Sequence, residues 1–118
     1  MLNDAFERLD PVQLEGSARL FEALAHPVRL RIVCGLLDGA CCVGPMTDCL
    51  GLPQAFVSRH LAILREAGIV ESVVDGRRRE YRVVHPLVAP IVELLQAGFP
   101  PRVDAPAPAA LEDGVTHV

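Results

Sequence analysis

Residues 51–81 read GLPQAFVSRHLAILREAGIVESVVDGRRREY. A helix can stop at Leu50-Gly51. From Gln54 to Ala67, Phe56, Val57, Leu61 and Leu64 recur at helical spacing, and Gly68 follows. Ile69–Val74 and Arg79–Val84 have strand character and flank a turn holding Asp75-Gly76, which predicts a hairpin. Three arginines, Arg77, Arg78 and Arg79, stand at that turn. Helix, turn, helix and basic hairpin is the order of a winged helix-turn-helix, whose second helix enters the major groove of DNA.

Upstream, Gln13–Ala25 predicts a helix with Leu14, Ala18, Phe21, Leu24 and Ala25 on one side. His26-Pro27 breaks the pattern, and Pro27 can open the next helix. There Leu30, Val33, Cys34 and Leu37 form an i, i+3, i+4, i+7 stripe, which assigns Cys34 a packing role. Asp38-Gly39 ends that helix, Gly44-Pro45 opens a short one, and Leu52-Pro53 is the turn. Downstream, Leu87–Ala97 predicts a last helix with Pro90 near its start. From Phe99 onward Pro, Ala and acids dominate, as in a disordered tail. The expected fold is mainly α with a small β-hairpin. Residues 1–98 form the winged-helix unit for DNA binding and dimerisation, and 99–118 the tail.

The chain has 118 residues and is 51% hydrophobic, enough for one domain with a Leu/Val/Ile/Ala core. No apolar run has membrane-span length and no signal-peptide pattern opens the chain. A cytoplasmic protein with no membrane partner is expected, its four cysteines reduced rather than bridged. Net charge is −4, but residues 59–82 hold six arginines against four acids. The only basic segment coincides with the candidate reading head. Every cation is Arg. Arg suits bidentate phosphate and guanine contacts, although a GC-rich genome yields the same bias.

A recognition helix meets base edges with its N-terminal turns, here Gln54, Ala55, Ser58 and Arg59. Gln pairs with adenine, Arg with guanine, and Ser with base or phosphate. His60 comes next round the helix, where a phosphate contact and a packing or capping role are both open. If the strand continues through Arg77, Arg78 and Arg79, they alternate in direction, so one or two reach phosphate or the minor groove. The competing reading is a solvated charged face on an ordinary helical domain. An enzyme is not expected: no G-x-S-x-G, P-loop, H-E-x-x-H or C-x-x-C occurs. A winged-helix protein-interaction domain that no longer binds DNA is another alternative.

Three stretches, ALAHPVRLRIV, CCVGPMTDCLGLPQAFVSRHLAILREAGIV and DGRRREYRV, resemble the ArsR/SmtB repressors over roughly residues 17–95. The S-x-H-L of Ser58–Leu61, the L-R-x-A-G of Leu64–Gly68 and the G-R…Y-R of Gly76–Arg82 carry the likeness. The resemblance implies a homodimeric repressor on double-stranded operator DNA, released by an inducer that is often a metal or metalloid. It implies dimerisation through the first and last helices, here Leu14–Ala25 and Leu87–Ala97. No cofactor is then needed for folding.

Cys41 and Cys42 precede the helix that Pro45 opens, and Cys49 is near that helix's end. A helix N-terminus lowers thiol pKa, and thiolates bind soft ions. In arsenic- and cadmium-sensing members of the resembled family a C-V-C occupies this place. Here Cys42-Val43 matches its first half, and Gly44 replaces the second Cys. A loop fold-back that unites Cys41, Cys42 and Cys49 would take As(III)/Sb(III) or Cd(II)/Pb(II) as inducer. Thiols that bind nothing, a thiol-redox switch and ligand-independent regulation remain the alternatives. The family's other metal site, on the last helix, has only His85 and Glu93 to offer. His26 reads as a helix-boundary residue.

Overall fold

A computed structural model describes residues 2–101. Six helices and three short strands follow in the order α1 (Leu2–Phe6), α2 (Pro11–Leu24), α3 (Pro27–Leu37), β1 (Cys41–Cys42), α4 (Val43–Leu50), α5 (Gln54–Glu66), β2 (Val70–Asp75), β3 (Arg78–Val83) and α6 (Val88–Gly98). The strands make one antiparallel sheet ordered β1-β3-β2. The expected mainly-α winged helix-turn-helix is therefore present, with α1 and β1 added. Most of the tail expected from Phe99 falls on residues 102–118, outside the described residues. No helix among the described residues is long and apolar enough to cross a membrane.

Local chemistry sets the boundaries. α2 starts at Pro11, before the apolar pattern, because Asp10 and Gln13 form a capping box. Asp10 Oδ1 accepts from the Gln13 N–H at 2.8 Å, and Gln13 Oε1 accepts from the Asp10 N–H at 2.9 Å. His26 caps α3: its Nδ1 accepts from the Val28 N–H at 3.1 Å, with Pro27 at the first helical position. Gly51, at φ +69°, closes α4 by donating to the Thr47 carbonyl at 2.8 Å. The wing turns through Gly76 and Arg77. Gly76 alone has positive φ, +66°, the pattern of a type II′ hairpin, where a Cβ would be strained.

One core joins these elements. α2 supplies Leu20 and Leu24, α3 supplies Val28, Ile32, Val33 and Leu36, and α5 supplies Val57, Leu61 and Leu64. Met46, Ile69, Val70, Tyr81 and Val88 close it. Two expected stripes are rotated. Leu14 and Phe21 of α2 are 52% and 59% exposed, while Leu20, Ala23 and Leu24 turn inward. In α3 Ile32 and Leu36 are buried and Cys34 is exposed, so Cys34 does not pack in the core of this chain. Periodicity finds the helix, but α2 and α3 carry apolar residues on more than one side.

Candidate nucleic-acid interface and thiol cavity

Helix α5 divides cleanly between support and display. Val57, Leu61 and Leu64 are buried against α3 and β2, whereas Gln54, Ala55, Ser58 and Arg59 are exposed. The four expected base-reading residues thus share the outer surface of the helix's first turns. The Arg59 guanidinium lies over the Phe56 ring, 5.3 Å from its centroid, a cation–π contact that limits its wandering. Pro53 is the N-cap and offers no side-chain acceptor, so the first N–H groups of α5 lack a side-chain cap. Such an N-terminus suits a phosphate oxygen.

His60 departs from the expected set. It is 6% exposed and faces inward. Its Nδ1 is 3.2 Å from Arg29 Nη1, and its ring lies 4.6 Å from that of His26. Guanidinium only donates, so His60 Nδ1 is the acceptor in this contact. Arg29 Nε also donates to the Ala23 carbonyl at 2.5 Å. Arg29 therefore ties the end of α2 to α5. Its sequence context, between Pro27-Val28 and Leu30, offered no signal beyond a helix cation.

The wing arginines have three different settings. Arg77 is at the turn, and Arg78 pairs in register with Asp75 at its base. Arg79 shares the strand face of Tyr81, and its Nη1 donates to Ser72 Oγ at 2.8 Å. All three are exposed. Further down, Arg82 forms a cross-strand ion pair with Glu71, Nε to Oε2 at 2.6 Å. Arg77 and Arg78, nearest the tip, are the better placed for phosphate.

Residues 26–72, from the cap of α3 into the wing, match the bacterial regulatory protein arsR family. The HTH-type transcriptional regulator CmtR of Mycobacterium tuberculosis is 40% identical over 93 residues, 78% of this chain and 79% of that protein. The chain belongs to the ArsR/SmtB family. The crystal structure of the transcriptional repressor BigR from Xylella fastidiosa superposes with a TM-score of 0.73 at 32% identity, covering 86% of this chain and 99% of that one. The homodimeric winged helix-turn-helix DNA-binding domain Mb0332 of Mycobacterium bovis gives 0.66 at 32% identity, over 72% of this chain and 79% of that one. This ArsR/SmtB protein is thus a DNA-binding transcriptional regulator.

The cysteines of this family member are not arranged as the spacing suggested. Cys41 and Cys42 are not in a free loop but form β1, in register with Tyr81 and Glu80 of the wing strand. Alternation along a strand sends their side chains to opposite faces. Cys41 and Cys49 line one cavity of about 250 Å³ with Arg31, Ile32, Gly35, Leu36, Met46 and Leu50, and Cys42 is outside it. Among the described residues no three His, Cys, Asp or Glu side chains are grouped to hold a metal ion. The expected Cys41/Cys42/Cys49 trio is therefore not assembled in this conformation. All four thiols are unbridged.

The expected lowering of thiol pKa is also reversed at Cys41. Burial pushes it up, and the nearby Cys42 and Cys49 thiols add to the rise. The Cys42 backbone, as a hydrogen-bond partner of the thiolate, opposes the shift and is outweighed; the protonated Sγ donates to the Cys42 carbonyl at 3.4 Å. Cys42, not Cys41, is the N-cap of α4, and it makes no side-chain capping bond.

Proposed function

We propose that the protein is a homodimeric repressor that reads double-stranded operator DNA with Gln54, Ala55, Ser58 and Arg59 while Arg77, Arg78 and Arg79 of the wing flank the duplex. The carrying observation is the division of α5: its buried side is fixed to the core, and its exposed N-terminal turns run directly into the chain's basic segment, which begins at Arg59. Fluorescence anisotropy on the protein's own promoter DNA tests it. Replacing Arg77 and Arg78 by Ala should weaken binding to every sequence and flatten the salt dependence, whereas replacing Gln54 or Ser58 should change sequence preference. Unchanged affinity of the double Arg variant at all salt concentrations refutes the wing assignment.

The dimer follows from apolar surface left uncovered at both ends of the chain. Phe6, Val12 and Phe21 from α1 and α2, with Leu94 and Phe99 from α6 and its end, are all more than half exposed. A second copy covers such faces, as one two-fold interface. Two reading heads on successive turns gain the affinity that a short half-site lacks. Sedimentation at micromolar concentration should show a dimer, and a monomer with and without DNA rules it out.

Release is read as thiol-directed, by a soft ion such as As(III), Sb(III), Cd(II) or Pb(II). The support is that Cys41 and Cys49 share a cavity and that β1 is bonded to the wing strand while α4 follows it directly. Soft ions prefer thiolates. A third thiolate from Cys42 requires β1 to leave β3, which would disturb the wing. DNA release should be lost in Cys41→Ser and Cys49→Ser and reduced in Cys42→Ser. Mg(II) should do nothing. If all three variants respond to every soft ion as wild type does, the inducer acts elsewhere.

A further inference from the structure

The cavity between α3 and α4 has features that thiol chemistry does not use. Its walls are Ile32, Leu36, Met46 and Leu50, with Arg31 as the only charged residue among the described residues that line it. Arg31 Nη1 is buried, and among the described residues it has no hydrogen-bond partner. A guanidinium stays protonated at any working pH, so that N–H always calls for an acceptor. An unmet buried polar group costs about 1–3 kcal/mol, more when charged.

Gly35 is the second observation. It stands inside α3, where Gly is destabilising by roughly 0.5–1 kcal/mol relative to Ala. Neither a positive φ nor a crowded neighbour explains it: a Cβ built at Gly35 meets nothing within 4 Å. Gly35 does line the cavity. Its missing side chain keeps that space open.

We propose that this cavity binds a small organic anion, an apolar body ending in one carboxylate, with Arg31 as the partner of the carboxylate. The volume of about 250 Å³ lies just below the ~300 Å³ lower end for drug-sized ligands. That suits a medium-chain aliphatic carboxylate such as octanoate. The occupant lies against α4, which packs on α5. A ligand that fits better when α4 is displaced weakens DNA binding, and bound DNA weakens the ligand by the same factor. This step rests on the DNA-binding reading but not on soft-ion capture, since no thiolate is needed.

Calorimetric titration of the full chain with octanoate, without DNA, tests the site separately from the repressor reading. Wild type should bind octanoate at least tenfold more tightly than 1-octanol, which has the same chain and no charge. Arg31→Gln should lose that preference. Gly35→Leu should fill the cavity, abolish binding and leave the protein folded, because Leu is the better helix former. No octanoate binding at millimolar concentration overturns the proposal, as does wild-type binding by folded Gly35→Leu or by Arg31→Gln. In a second measurement octanoate should weaken operator affinity at least fivefold for wild type and not for Gly35→Leu. Octanoate binding with unchanged DNA affinity overturns the coupling. A protein that binds no DNA under any condition sinks the repressor reading and leaves the site standing.

Discussion

The outer side of α5 and the α3–α4 corner both carry polar chemistry, but they are built in opposite ways. On α5 the residues proposed to read DNA point away from a buried row of Val57, Leu61 and Leu64, and their arrangement needs nothing beyond one helix. At the corner, Cys41 comes from a strand, Cys49 from α4 and Arg31 from α3, and only the packing of three elements brings them to one cavity. A face for DNA is a rigid display, with its energy in contacts made outside the molecule. A cavity for a small ligand is an imperfection in the packing, and there the fold leaves a buried N–H unmet.

The largest test of this contrast lies beneath the display. Leu61→Ala should cost about 2–5 kcal/mol of stability in urea unfolding, whereas Ser58→Ala, on the exposed side, should stay within about 0.5 kcal/mol. Equal effects would show that the two sides of α5 are not distinct. Next is Arg29→Met, which removes the guanidinium that donates to the Ala23 carbonyl and to His60 Nδ1. A loss of about 1–3 kcal/mol is expected, together with weaker DNA binding, because α5 loses its tie to α2.

Smaller effects separate the wing from the corner. Arg77→Ala and Arg78→Ala should each lower the slope of log affinity against log salt by about 1. Cys49→Ser, without ligand, should leave that slope and the affinity as they are. The smallest concerns Cys41 in a variant whose other three cysteines are Ser. Its alkylation should reach half-maximal rate at higher pH than that of free cysteine, because burial raises its pKa. The raised value also means that the fold holds this proton more tightly than the unfolded chain does. Its stabilising contribution is present below the ordinary thiol pKa and fades as pH rises through the raised one. A rate profile matching free cysteine would remove Cys41 from the buried wall.

The readable parts of the site share one property: each depends on residues a few positions apart. Gln54, Ala55, Ser58 and Arg59 could be placed from helical phase, and the wing from Asp75-Gly76 and its flanking strands. His60 was ambiguous because phase puts it at the edge of the buried stripe, and the choice between phosphate and core was made by Arg29 and His26 from other segments. The cysteine trio is not assembled in this conformation for the same reason. Two residues between Gly39 and Gly44 look like loop, and only the presence of β3 alongside makes them a strand. Arg31 and Gly35 carried no motif; their meaning comes from the empty space they border.

Local periodicity, caps and turn residues were enough to determine the order of α2 to α6, the winged helix-turn-helix and the exposed side of α5, since these follow from backbone geometry and nearest-neighbour chemistry. Tertiary structure decided which sides of α2 and α3 are buried, where His60 points, how Cys41 and Cys42 part company, and that an arginine lines an otherwise apolar cavity. Each of those depends on segments far apart in the chain, and apolar residues on several sides of a helix leave the choice of buried side to whatever packs against it.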